Sequence, residues 1–238
     1  MFIITKLFWK SPIVIKANSP CKVTKQSLTL SIQDLSQNTF NIVITNPSCP
    51  IVAIIWGKCV VECCYGTALT YDVQSSSPYH IDVLINQEGV VWCFTGYYEH
   101  LETTQRGESW DLLRQLHASF SLPWLFLGDF NEILHPNEYW GSGYQPYNQI
   151  VESNNVVDDC SSIDLGFCGL KFTWCNRRFK GNLVYARLDC VLYNMEWLSL
   201  FPYTKLTQIP FGFSDHMALS AKLQTSTSNP SVKKNRFF

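Results

Sequence analysis

Four short stretches of the chain carry residue types that can grip phosphate or move protons. In the first, Trp124-Leu125-Phe126-Leu127-Gly128-Asp129-Phe130-Asn131, an apolar run ends at a glycine and then offers a carboxylate and, two residues on, an amide. Strand alternation puts Asp129 and Asn131 on the same side. A carboxylate orients a water or a metal, and a neutral amide donates to a phosphate oxygen without adding charge. That combination suits phosphodiester hydrolysis. A polar exit from a strand into a loop accounts for the same residues.

The second stretch is Ser214-Asp215-His216, just ahead of the apolar run Met217–Leu223. Histidine passes a proton or stabilises charge near neutral pH. Adjacent residues of an extended segment point opposite ways, whereas a turn would aim both side chains into one cleft. The third is Arg187-Leu188-Asp189, inside a strand-like run from Val184 to Tyr193. Arg187 and Asp189 would share a face. A buried carboxylate there needs a partner; a histidine would serve, and so would a strand-face ion pair with Arg187. The fourth is Gly96-Tyr97-Tyr98, followed by Arg106. A tyrosine hydroxyl can bond a phosphate oxygen with an arginine in support, or the tyrosines can simply be half-buried at a sheet edge.

The elements that would position these groups are short and mixed. Apolar residues make up 46% and charged residues 16% of 238 residues, enough for a core and against disorder. Net charge is −1, so any phosphate-binding field must be local. Ten cysteines include no C-x-x-C pair, which removes support for zinc-ribbon and thioredoxin-like chemistry. With no signal-peptide pattern at Met1–Lys10 and no apolar run long enough to cross a membrane, the cysteines read as reduced thiols of an intracellular protein.

From Ile51 onward, strands are expected at Ile51–Trp56, Lys58–Cys63, Tyr79–Ile85, Val90–Tyr98, Trp124–Leu127, Lys171–Cys175, Val184–Tyr193, Leu206–Ile209 and Met217–Leu223. Helices are expected at Arg106–Phe120, where Trp110, Leu113, Leu116 and Phe120 recur at helical spacing, and at Gln149–Cys160. Hairpin and strand–helix–strand spacings alternate, which predicts an α/β sandwich with a mixed sheet system. Residues 1 to 50 differ in composition, being rich in Ser, Thr, Asn and Pro, with Asn41–Thr45 a plausible strand. Residues 224–238 read as a polar tail, so the organised domain is expected over 51–223.

The order of the pieces carries more than any one of them. Tyr98, Gly128-Asp129-Phe130-Asn131, Phe172-Thr173-Trp174, Arg187-Leu188-Asp189 and Ser214-Asp215-His216 follow one another as in the endonuclease/exonuclease/phosphatase superfamily. The text between them narrows the likeness. Pro123-Trp124, Asp164-Leu165-Gly166-Phe167-Cys168-Gly169, Asn194 with Trp197, and Phe201-Pro202 resemble the endonuclease domain of plant LINE-type retrotransposons, over about Ile51 to Leu223. This resemblance implies a four-layer α/β/β/α sandwich of two mixed sheets (the DNase I-like fold) and hydrolysis of phosphodiesters in DNA with Mg2+ or Mn2+. On that likeness Asp129 would orient the attacking water, Asn131 and Tyr98 would contact the phosphate and Arg106 would support it. Asp189 would pair with His216, which stabilises developing charge. Asp215 would help with metal or water.

The sequence also departs from the family pattern. Family members begin with a strand ending in asparagine and a second carrying the principal metal-binding glutamate; no glutamate precedes Glu62 here, and Asn46 is the one candidate for the asparagine. Glu99 stands at a family glycine and Leu101 at a family proline, while Tyr139, Cys190 and Phe211 occupy positions where the family is basic. Losing a main carboxylate should weaken Mg2+ binding, and losing cations should weaken DNA binding. The expectation is an N-terminally incomplete domain, either an impaired metal-dependent nuclease or a catalytically inactive remnant with a binding role or none.

Overall fold

The computed structural model describes residues 69–224 apart from 78, 88, 101, 120, 144–145, 179–180 and 211–213, together with the backbone of five strands within 2–64. Asn46, Leu101, Phe211 and the tail from 225 lie outside the described residues, as does the side chain of Glu62.

The central element is a six-stranded mixed sheet. Its strands run in the order Ile163–Asp164, Asp189–Tyr193, Trp124–Asp129, Val90–Tyr98, His80–Gln87 and Leu69–Ser77. Val90–Tyr98 and Trp124–Asp129 pair in parallel. The helix Arg106–Ser119 makes the crossover between them, as a parallel pair requires. All other pairs in the sheet are antiparallel. A second sheet joins Lys205–Ile209, Ala218–Leu223 and Phe2–Lys6. That last pairing attaches the first residues of the chain to the strand that follows His216. Thr29–Gln33, Asn41–Thr45, Ile51–Trp56 and Cys59–Cys64 form an antiparallel meander.

Strand alternation divides the core. From Trp124–Asp129 and Asp189–Tyr193, the side chains of Trp124, Phe126, Cys190 and Leu192 pack with Trp110, Leu113 and Leu116 of the crossover helix and Val156 of the helix Tyr147–Asp159. The alternate residues, Leu125, Leu127, Val191 and Tyr193, pack with Leu206, Leu219, Ala221 and Leu223 of the second sheet. The architecture is therefore an α/β sandwich in which helices cover one face of the six-stranded sheet and a second sheet covers the other. The wholly apolar Trp124–Leu127 run is the sign of a strand covered on both faces.

Two sequence expectations are corrected here. The run Val184–Tyr193 is not one strand: it breaks at Arg187–Leu188, and its halves Val184–Ala186 and Asp189–Tyr193 belong to different sheets. The break follows from where the polar groups go. Arg187 is drawn to Glu138 and Asp164, at 2.6 and 2.7 Å, while Thr173 Oγ1 accepts the amides of both Leu188 and Asp189. Lys171–Cys175 likewise shortens to Trp174–Cys175, which joins Val184–Ala186 and Tyr139–Gly141 in a small three-stranded sheet. The strand Leu69–Ser77 and the helix Met195–Leu200, capped by the Asn194 side chain on Trp197 N–H at 3.0 Å, add to the expected elements.

Candidate active site

The site forms where three strands of the central sheet end together. Asp129 is the cross-strand neighbour of Asp189 on one side and of Tyr98 on the other. Alternation turns all three toward the second sheet, because Leu127 and Val191, two residues away, face it. The second sheet delivers His216 to the same place. Trp174 forms an isolated bridge with His216, Cys175 N–H donates to the Asp215 carbonyl at 3.0 Å, and Met217 N–H donates to the Thr173 carbonyl at 2.7 Å. The segment carrying Asp215 and His216 is thus clamped along Thr173–Cys175. Ser214 Oγ accepts the His216 amide at 3.1 Å, and the Arg177 guanidinium donates to the Ser214 carbonyl.

Within this frame His216 Nδ1 lies 2.9 Å from Asp189 Oδ2, and its Nε2 lies 3.8 Å from Asp129 Oδ2. Asp189 is fully buried and Asp129 is 1% exposed, while His216 reaches partial exposure. The 2.9 Å contact fixes the ring and leaves Nε2 pointing at Asp129. The 3.8 Å gap is too long for a hydrogen bond and near enough for one oxygen atom to bond to both groups. That is a place for a water, which can donate to the carboxylate while it bonds the ring nitrogen.

Asn131 reaches the site by a different route from simple alternation. The strand ends at Asp129, and Asn131 takes a left-handed backbone, φ 46°, a region in which asparagine is enriched. The turn lets its amide N–H donate to Asp129 Oδ1 at 3.1 Å and its side-chain NH2 to the Glu99 carbonyl at 2.8 Å. Asn131 lines a cleft of about 400 Å3 with Arg106, Ile133, Tyr139, Trp174 and Leu188. Tyr98 sits beside Asp129 with its ring half-buried against the core. Arg106 borders the cleft, but its guanidinium is engaged by Glu132 at 2.5 Å and lies 4.0 Å from Glu99. Arg187 and Asp189, which the sequence placed on one strand face, part company: the guanidinium goes to Glu138 and Asp164 and the carboxylate to His216.

Three further residues shape the site. Thr173 is buried and holds the backbone of Asp189; its hydroxyl is the acceptor hidden in the Phe172-Thr173-Trp174 motif. Arg177 secures the His216 segment, and nothing in the sequence marks it. Glu99 is fully buried, with neither carboxylate oxygen hydrogen-bonded among the described residues. Burial pushes its pKa well above the ordinary carboxylate range, Arg106 opposes the shift, and Glu132 adds to it. Cys190 points into the helix-side core and is fully buried.

Asp129, Asp189 and His216 bring three ligand atoms within 4.8 Å of one another. Asp215 is not one of the three. Asp189 already serves His216, so a hard cation would rely chiefly on Asp129. Mg2+ commonly sits on one or two carboxylates plus waters and substrate phosphates. The donors therefore fit a divalent cation, though sparsely.

No protein-family description and no curated protein matches the sequence. Solved structures do. The endonuclease domain of TRAS1, a telomere-specific non-LTR retrotransposon, superposes with a TM-score of 0.55 at 12% identity, covering 71% of this chain and 76% of that one. The AP endonuclease LMAP from Leishmania major gives 0.51 at 11% identity, covering 71% and 67%. The chain has the DNase I-like fold. At these identities the likeness is one of fold, and the chemistry of this DNase I-like chain has to be argued from its own residues.

Proposed function

We propose that this chain is a metal-assisted phosphodiesterase acting on DNA, of the retrotransposon-endonuclease kind, and that its activity is impaired. The observation carrying the proposal is the His216 imidazole set between Asp189 at 2.9 Å and Asp129 at 3.8 Å. Asp189 holds the ring so that Nε2 faces the site, where an Nε2–H would donate to a phosphate oxygen and stabilise its negative charge. Asp129 faces the same point and can orient a water. Asn131 and Tyr98 border the space where the phosphate would lie. A divalent cation held chiefly by Asp129 would act as Lewis acid on the phosphoryl group.

Charge balance supports impairment. Asp129 and Asp189 crowd one region, and Glu132 occupies the Arg106 guanidinium. Substrate capture by a polyanion-binding site depends on such cations. The test is nicking of supercoiled plasmid by the purified chain with Mg2+ or Mn2+. Slow, metal-dependent nicking that disappears in Asp129→Ala and His216→Ala is expected. Robust nicking would overturn the impairment, nicking that survives either substitution would overturn the site, and none under any condition would leave the inactive-remnant reading.

A further inference from the structure

The small sheet of Tyr139–Gly141, Val184–Ala186 and Trp174–Cys175 has two different faces. Tyr139, Trp174 and Ala186 turn toward the cleft and help to wall it. Trp140 and Tyr185, direct cross-strand partners, turn the other way. Trp140 is 56% exposed on an edge strand. Its ring lies 5.7 Å from that of Tyr185, which lies 5.7 Å from that of Phe172, and Lys171 Nζ sits 5.6 Å over the Phe172 ring. The result is a continuous row of rings ending in a cation. At the edge, a recess of about 710 Å3 is lined by Tyr139, Trp140, Gly141, Gly143 and Leu183. Tyr139 borders this recess and the cleft alike, so the row and the Asn131 cleft meet at one residue.

Charge selects the occupant. In sequence, the stretches 139–149 and 170–186, within which the three strands fall, contain Lys171, Arg177, Arg178 and Lys180 and no aspartate or glutamate, in a chain whose net charge is −1; of these cations Arg177 is already bonded to the Ser214 carbonyl. Cations alone would suit any polyanion. A cation beside a row of rings, exposed at Trp140 and half-buried at Tyr185 and Phe172, suits a polyanion that also offers flat apolar faces, which is the chemistry of unpaired nucleobases. In a duplex those faces are stacked and hidden.

We propose that the Trp140–Tyr185–Phe172 row is a stacking platform for unpaired bases, holding single-stranded DNA that leads away from the cleft around the Tyr139–Gly141 edge. This rests on the phosphodiesterase reading and adds to it the form of the strand.

The experiment measures binding in the presence of a chelator, so it does not depend on turnover. Fluorescence anisotropy of the full chain is followed with a labelled single strand, an abasic strand of equal length and charge, and a duplex. The base-bearing strand should bind roughly fivefold or more tightly than the abasic one. Trp140→Ala should erase that difference, and Trp140→Phe should keep most of it. Equal affinity for the two strands, or a preference untouched by Trp140→Ala, would overturn the proposal. So would a self-associated wild type that Trp140→Ala renders monomeric, since a second copy would then own the face. Failure of plasmid nicking with the base preference intact would remove the catalytic reading and leave the platform.

Discussion

Asp129 and Asp189 lie directly opposite one another on adjacent antiparallel strands, both at most 1% exposed. Like charges placed so destabilise a sheet, and the His216 ring lies against both, Nδ1 2.9 Å from Asp189 and Nε2 3.8 Å from Asp129. Asp129→Asn keeps the shape and the oxygen that accepts the Asn131 amide. It should stabilise the fold by about 1 kcal/mol, or roughly 2–4 °C in Tm, while abolishing nicking. A drop in Tm on thermal unfolding would show that the carboxylate earns its place structurally.

Thr173 tests how Asp189 is held. Its buried hydroxyl accepts two backbone amides, from Leu188 at 2.9 Å and Asp189 at 3.0 Å. Thr173→Val leaves both N–H groups without their acceptor, at about 1–3 kcal/mol each. Thr173→Ser keeps the acceptor and should lose far less, chiefly the packing of one methyl group. Urea unfolding of the pair decides it: equal losses would mean that packing, not acceptance, is what Thr173 supplies.

Gly128 tests the approach of two strands. It is the parallel partner of Tyr97, and a Cβ there would run into the Tyr97 carbonyl and lie 2.8 Å from Tyr97 Cβ. These neighbours belong to a buried strand and cannot give way. Gly128→Ala should cost about 2–3 kcal/mol and displace Asp129, so Tm and nicking should fall together. An unchanged Tm would contradict the close approach.

The sequence made the site's residue types legible but not all of its wiring. Short β-branched and aromatic runs such as Val90–Tyr98 and the helical spacing of Trp110, Leu113 and Leu116 are local signals, and those elements lie where they were expected. The break at Arg187–Leu188 was not readable, because the β-branched and aromatic run Val184–Tyr193 looks continuous until Glu138, Asp164 and Thr173 are in place. Asn131 was expected on the right side for the wrong reason: a left-handed turn, not alternation, carries it there. The roles of Arg177 and Thr173 depend on partners 37 and 15–16 residues away. Such long-range pairings leave no periodic trace.

Glu99 gives a prediction about pH. Its backbone braces the site, donating to the Asp129 carbonyl at 2.8 Å and accepting from the Asn131 side chain. Its carboxyl group is sealed in the core without a hydrogen bond among the described residues, and burial raises its pKa well above the usual glutamate range despite Arg106 nearby. A raised folded-state pKa means that the folded protein holds a proton the unfolded chain gives up. The stabilising contribution is complete below the ordinary glutamate pKa and is lost as pH climbs through the folded value. Glu99→Gln stays neutral at every pH, so it should avoid that loss. Its stability relative to the unsubstituted chain should rise steadily with pH from the ordinary glutamate range upward. Urea-unfolding free energies for both chains across that range would check this. Parallel curves would mean that Glu99 is ionised in the folded protein, and a widening gap would show an acid kept neutral on the residue whose backbone N–H holds the Asp129 carbonyl.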